Sequence, residues 1–312
     1  MHEERPVKDI KLKTKLTVNE LVSQMKNSGG FTGRKVSDAA DIVEKMFRSK
    51  KCTVFFSFPA CIIATGTRGV IVELARRKLI DVIITTCGTL DHDLARSWKD
   101  YYHGDFYMDD VELRKKGINR LGNVLVPDES YGLVLEEKLI PMFSQIFENK
   151  SSLSTREIIE LIGAKLKNSD SLLYWCYHNK IPIYVPGIMD GAFGSQLWMY
   201  WQTHKNISID TFRDEQELAD IVFDAEETGA IIIGGGISKH HTIWWNQFRG
   251  GLDYVVYLTT AQEYDGSLSG ARTREAKSWG KVKETAEEIT VEGDATITLP
   301  LIIASVLERL GD

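Results

Sequence analysis

Apolar residues recur at helical spacing through the first fifty positions and then gather into short unbroken runs. Residues 16–25 (LTVNELVSQM) repeat them at a helix period, and Ser28-Gly29-Gly30 supplies the stop. Residues 37–47 (SDAADIVEKMF) predict a second helix, with Ser37 as its N-cap. After residue 50, runs rich in Val, Ile, Phe and Tyr occupy 53–58, 81–87, 181–187, 230–235 and 253–260. Strands buried on both faces read this way, which predicts a parallel sheet rather than an exposed antiparallel one. Helical patterns at 69–78, 154–166 and 214–228 alternate with these runs, the order of an α/β layered fold. A further strand is predicted near 288–291 and a closing helix over 300–310.

The segment after each run is more informative than the run itself. These tails read FPACIIATGT, CGTLDHD, GIMDGAFGS, GGISKHH and TAQEYDGSLSGAR. The expected architecture is a Rossmann-like open, mainly parallel sheet flanked by helices, with residues up to about 50 as a helical N-terminal extension. In such sheets ligands bind outside the carboxyl ends of the strands, so converging tails would make a nucleotide-sized cleft. Gly and Asp also make ordinary turns, and the tails alone leave both readings open. Length allows one large domain or two small ones. No linker, repeat or low-complexity tract divides the chain, so a single domain over residues 1–312 is expected.

Composition narrows the class. Of 312 residues, 43% are hydrophobic and 26% charged, with 38 basic against 44 acidic and a formal net charge of −6. That balance excludes a disordered chain. The most apolar stretches, 53–63 and 297–307, are too short to cross a membrane. A pI of 5.7 argues against a generic basic nucleic-acid binder. The amino-terminal MHEERPVKDIKLKTK has no apolar signal-peptide core. Cys52, Cys61, Cys87 and Cys176 form no C-x-x-C pair, so reduced thiols and a cytoplasmic location are expected, without a disulfide framework or structural zinc.

Several chemical signatures are missing. There is no G-x-x-x-x-G-K-[ST] loop, and the glycines of IIIGGGISKH do not fit G-x-G-x-x-G. Adjacent His240 and His241 cannot share one helix face as ligands, and no metal is expected. Ser278-Trp-Gly-Lys281 matches S-x-x-K without its S-D-N and K-T-G companions. The densest chemistry lies at 253–281: a strand, a Gly/Ser loop holding Glu263 and Asp265, then Trp279-Gly280-Lys281. A lysine there can rest against an aromatic wall, a surrounding that favours the neutral amine imine chemistry needs. Acidic groups and an indole face also suit an alkyl-ammonium substrate. On spacing alone, a solvent-exposed lysine is the commoner outcome.

Residues 260–281, TAQEYDGSLSGARTREAKSWGK, resemble the signature of the deoxyhypusine synthase family, T-A-Q-E-[FY]-D-G-S-x-S-G-A-R-x-x-E-A-x-S-W-G-K. The likeness continues in GINRLGNVLVP at 117–127 and in Ile181-Pro182, Pro186, Asp190-Gly191 and Gly194. It includes GGGISKHH at 234–241 and DVIITTCG at 81–88, and leaves only the first fifteen residues or so without a counterpart. The resemblance, of a non-eukaryotic type, implies an NAD-dependent transferase, usually a homotetramer with active sites shared across a dimer interface. It implies that NAD takes a hydride from spermidine and that a lysine attacks the resulting imine with loss of diaminopropane. An aminobutyl unit then passes to one lysine of the initiation factor 5A precursor, where the stored hydride reduces the new imine.

Position by position, the resemblance implies Lys281 as nucleophile and His240 beside the amine, with Glu275 and Trp279 near it. Gly266 and Ser267 would contact the substrate. Thr86, Gly88, Asp190, Gly235, Thr260, Ala261, Asp294 and Ala295 would contact NAD, joined by Ile63 in the loop 60–64, where the family's S-N-x-I-S is otherwise unmatched. The departures fall on amine recognition. Asp91-His92 stand where eukaryotic members carry two glutamates, Ser195 replaces the acid after D-G-x-x-G, and Leu268 replaces the acid within D-G-S-D-S. An ammonium without its buried carboxylate is costly, so a different donor is expected, or compensation by Asp91, Asp93 or Glu263. Two alternatives remain open: an aminobutyl transferase acting on a free amine, like homospermidine synthase, and a non-catalytic NAD-binding partner subunit.

Overall fold

The apolar run at 53–58 is a strand buried along nearly its whole length, and it pairs with the strand that carries the predicted run at 230–235. The computed structural model describes residues 5–311, which divide into two compact units, one holding the chain up to Ser57 and from Ile221 onward, the other Phe58–Asp220. The chain starts with α1 (Val18–Asn27), α2 (Phe31–Arg48) and β1 (Cys52–Phe58). A capping box, in which Thr17 and Glu20 satisfy each other's backbone N–H, starts α1, and Gly29 leaves it at φ +67°.

The second unit contains α3 (Arg68–Arg76), β2 (Val82–Thr85), α4 (Cys87–Trp98), β3 (Tyr102–His103), α5 (Asp110–Lys115), β4 (Ile118–Leu121) and β5 (Val124–Pro127). It continues through α6 (Gly132–Phe147), β6 (Ser152–Leu153), α7 (Thr155–Gly163), α8 (Leu172–Asn179), β7 (Ile183–Tyr184), α9 (Ala192–Thr203) and β8 (Ser208–Ile209). β2 pairs parallel with β7, β6 with β8, while β3, β5 and β4 form an antiparallel sheet in that order. Leu90, Leu94, Leu139, Phe143 and Phe193 form part of its core.

Within α10 (Thr211–Asp224) the chain returns to the first unit, which adds β9 (Glu227–Ile233), α11 (Ile237–Gln247), β10 (Leu252–Thr259), α12 (Thr273–Lys277), β11 (Val282–Glu292) and α13 (Ala295–Leu310). Its strands run parallel in the order β11-β10-β9-β1, with Val256 opposite both Ile231 and Ile289. Phe55, Phe56, Val255, Val256 and Tyr257 are fully buried. Truncating either Phe to Ala should cost about 3–5 kcal/mol. Parallel pairing puts the ends of β9, β10 and β11 on one edge, so the loops 234–236, 260–272 and 293–294 leave the same side.

The fold class is the expected one: α/β with mainly parallel strands flanked by helices. The first fifty residues are integrated into it, since α2 packs on β10 and β11 and both α1 and α2 pack on α13. Three local expectations change. Ser37 is not a cap: α2 begins at Phe31 with Gly30 as N-cap, and Ser37 lies in its buried face with Val36 and Ala40. The helix expected over 214–228 ends at Asp224, because Thr228 and Gly229 join the β9 ladder, where a side chain at Gly229 would meet Met46 Sδ at 2.3 Å. The antiparallel sheet was not anticipated, since β4 alternates half-buried with exposed positions and offers no continuous apolar run.

Candidate active site

Lys281 occupies a tight corner. After α12 the chain turns through Ser278 and Trp279 to Gly280 at φ +68°, a left-handed conformation that favours glycine, and Lys281 follows immediately before β11. Both Trp279 N and Lys281 N donate to Ala276 O, at 3.2 and 3.0 Å, so the corner's geometry is set by the end of α12. Lys281 is 8% exposed. Its Nζ lies 5.1 Å from the ring centre of Trp279 and 5.6 Å from that of Trp244 on α11. Among the described residues no hydrogen bond or ion pair reaches that amine. The aromatic wall is therefore two-sided, while Trp279 itself is 67% exposed.

His240, in the first turn and a half of α11, stacks on Trp244 with ring centres 5.5 Å apart. Burial first, then the charge of Lys281, holds its pKa below the ordinary imidazole value. Its neighbour His241 is pushed down to about 4 by burial and by His240. Trp245 Nε1 donates to His241 Nε2 at 3.2 Å, which fixes that ring in a neutral tautomer. Both imidazoles are thus uncharged at neutral pH.

A residue without an assigned role in the sequence reading shapes the floor of this site. Lys239 is 3% exposed; its Nζ donates to Leu268 O at 2.8 Å and Ala271 O at 2.6 Å and lies 3.7 Å from the ring centre of Tyr257. Tyr257 OH and Thr259 Oγ1 both donate to Ser269 O. Anchors at Leu268, Ser269 and Ala271 therefore hold the loop that carries Gly266 and Ser267. Burial, partly offset by Glu275, pushes Lys239 down to about 7. Gly266 adopts φ +71°, and Ser267 N donates to Asp265 Oδ1 at 2.7 Å. A small cavity of about 50 Å³ lies between this loop and the lysine, lined by Lys239, Leu268, Ala271, Glu275, Trp279 and Lys281.

Predicted cofactor residues occur in both units. In the first, Gly235 touches the loop so closely that a Cβ would fall 2.3 Å from Ser269 Oγ, whereas the next residue, Gly236, has open space around that position. Ala261 O accepts from Arg272 Nη1, Thr260 is exposed, and Asp294 caps α13 by accepting from Thr296 N, with Ala295 the first helical residue. Open glycine backbone and a helix N-terminus suit a dinucleotide at these strand ends.

In the second unit, Thr86 is the N-cap residue of α4 and its Oγ1 accepts from Ala60 N at 3.1 Å. Gly88 allows Ala60 to approach, since a Cβ there would sit 2.8 Å from Ala60 Cβ. Ile63 is fully buried in that loop, and Asp190 is exposed after β7. Asp91, expected on the amine, is 1% exposed; its carboxylate accepts from Ala192 N, Phe193 N and Tyr131 OH at 2.9, 2.7 and 2.9 Å. Burial outweighs these bonds and raises its pKa. Asp93, the second candidate, accepts from Ser171 Oγ, Leu172 N and Leu173 N and faces Arg68. Glu263 pairs with Arg272 and Arg274. Ser195 is exposed and donates to Gly191 O.

A parallel α/β framework thus holds a buried lysine amine between two indoles. The family model for deoxyhypusine synthase matches residues 20–306. The chain is 54% identical over 303 residues to the "Probable deoxyhypusine synthase" of Picrophilus torridus and 53% identical to that of Thermoplasma acidophilum, covering 97% of both chains in each case. A crystal structure from Entamoeba histolytica, named "putative deoxyhypusine synthase", shares the fold at TM-score 0.66 and 21% identity, covering 96% of each chain. The chain belongs to the deoxyhypusine synthase family and is a transferase.

Proposed function

We propose that this transferase moves an aminobutyl group from spermidine to one lysine of the initiation factor 5A precursor, with NAD as cofactor. The observation that carries the reading is the buried Lys281 amine, unpaired between two indoles at the position of the family's lysine. The family resemblance implies Gly235, Thr260, Ala261, Asp294, Ala295, Ile63, Thr86, Gly88 and Asp190 as the residues that would hold NAD. When bound, NAD supplies hydride chemistry, accepting a hydride from the amine and giving it back at the end.

The chain's own residues do the rest. Trp244 and Trp279 exclude water around Lys281 and present ring faces to a cationic amine. The Lys281 nitrogen attacks the imine carbon of the oxidised donor, the carbon–nitrogen bond to diaminopropane breaks, and the four-carbon unit stays as an imine on Lys281. Neutral His240, whose pKa burial and the Lys281 charge hold down, would take and return the proton during this exchange. The acceptor lysine displaces Lys281, and reduction leaves a secondary amine. Homotetrameric assembly with shared sites and a cytoplasmic setting belong to the same proposal.

One observation favours a second reading of the donor. Beside the Lys281 amine the cavity is lined by the bases Lys239 and Arg272 against the single acid Glu275, and Leu268 offers an alkyl wall. A donor with a less charged distal end than spermidine fits that lining better. Incubating the protein with NAD, an amine and the precursor, then weighing the acceptor, tests both. An aminobutyl gain that Lys281→Ala removes supports the transfer, while no gain with any amine contradicts it. Turnover compared across spermidine, agmatine and other amines decides the donor.

A further inference from the structure

We infer that Asp91, His92 and Arg96 of α4, with Tyr101 and Tyr131, are positioning residues that hold the two loops expected to grip the cofactor. The inference rests on the functional reading above. It assigns the Asp91-His92 pair a role away from the amine, which leaves donor recognition to other groups.

The contacts form a continuous chain inside the second unit, buried at Asp91 and half-buried at the other four residues. At one end, Asp91 receives the first two backbone N–H groups of α9, which fixes the Asp190-Gly191 corner just before it. That corner has no slack: a Cβ at Gly191 would lie 2.7 Å from Cys87 Sγ and 2.8 Å from Asp91 Oδ2. Tyr131 OH donates to the same Asp91 Oδ2, and its ring packs on His92 with centres 5.4 Å apart. His92 Nδ1 is 2.9 Å from Tyr101 OH, and the Arg96 guanidinium lies 5.9 Å from the Tyr101 ring centre. At the other end, Arg96 Nη1 donates to Ile63 O and Thr65 O, both at 2.7 Å. Thr86 takes the start of that loop through Ala60 N. Both loops are thus clamped to one helix.

Two features argue that the chain is built for position rather than for charge. Three donors take three of the roughly four lone-pair sites of the Asp91 carboxylate, and the side chain is 1% exposed, so its bonding is directed at α9 and Tyr131. Arg96 serves both backbone carbonyls from the single nitrogen Nη1, held in the plane of the guanidinium; a lysine ammonium reaches the same atoms as a point charge, without that fixed plane. Misplacing a binding loop by about 1 Å costs up to about a hundredfold in activity.

The full-length protein and its Arg96→Ala, Arg96→Lys, Asp91→Asn and Tyr131→Phe variants would be compared by calorimetric NAD binding and by KM for NAD and for the amine. Arg96→Ala and Asp91→Asn should raise the NAD Kd and KM about tenfold while the amine KM stays within about twofold, with Tyr131→Phe smaller and Arg96→Lys recovering part of the loss. NAD binding unchanged in Arg96→Ala and Asp91→Asn would overturn the inference. So would an equal rise in both KM values, the mark of general loosening. A variant that fails to fold is replaced in the comparison by Arg96→Lys and Tyr131→Phe, which retain polar bulk. Wild-type protein that does not bind NAD contradicts the functional reading itself, and this inference falls with it.

Discussion

Lys281 and Asp91 were both expected to face the amine, and the structure gives them opposite surroundings. The Lys281 amine rests between two indoles with no polar partner among the described residues. The Asp91 carboxylate, also buried from solvent, is engaged by three donors from two other segments. Burial alone therefore does not mark a reacting group. What separates them is unused bonding capacity: an unpaired polar atom in a packed site is available to a ligand, while a satisfied one holds backbone in place.

The sharpest way to break this contrast is at the lysine. Lys281→Ala should lower transfer at least a thousandfold, as expected when a covalent nucleophile is removed, with little change in Tm. Residual transfer within tenfold of wild type would show that the free amine is not the nucleophile.

On the structural side, His92 gives the largest stability signal. Burial, with Arg96 adding to it, pushes its pKa down to about 4. A base whose folded pKa is depressed stabilises the fold above its unfolded pKa of about 6.5 and loses that contribution as pH falls toward 4. The loss amounts to up to about 3 kcal/mol. His92→Gln should flatten the fall of stability between pH 6.5 and 4, measured by denaturant unfolding; an unchanged slope would place the acid sensitivity elsewhere.

Lys239 sits between the two extremes, a buried amine with its bonding in use. Lys239→Met strands two carbonyls and should cost about 1–3 kcal/mol, together with roughly tenfold in activity through the loosened loop. The wild-type lysine is held near 7, below its unfolded value, so its protonation is opposed by folding. The wild-type advantage over Lys239→Met should grow as pH rises from 7 toward 10. A constant difference over that range would contradict the assigned burial cost. Smallest of all, Trp279→Ala removes an exposed ring and should raise the amine KM a few-fold, an effect of about 1 kcal/mol, with Tm unchanged. A KM equal to wild type would leave only Trp244 as the aromatic partner.

How much of this was legible depended on distance along the chain. The parallel strands could be read because each is a continuous apolar run, and Lys281 could be read because Trp279, Gly280 and the preceding loop lie within one segment. Trp244 could not, since it reaches Lys281 from α11 and nothing in its own neighbourhood signals that meeting. Lys239 was visible within GGGISKHH, but its partners Leu268 and Ala271 lie about thirty residues on. Asp91 looked like a spare acid for the same reason, because its donors Ala192 and Phe193 are about a hundred residues away. Both residues of the short strand β3 are exposed and β4 alternates half-buried with exposed positions, so no hydrophobic period revealed them.

The most direct test of the central claim is to trap the intermediate on the lysine. The protein would be incubated with NAD and the amine donor, reduced with borohydride, and mapped by mass spectrometry. The account predicts an aminobutyl adduct confined to Lys281, absent without NAD and absent in Lys281→Ala. An adduct on another lysine, or acceptor modification with no adduct on Lys281, would contradict it.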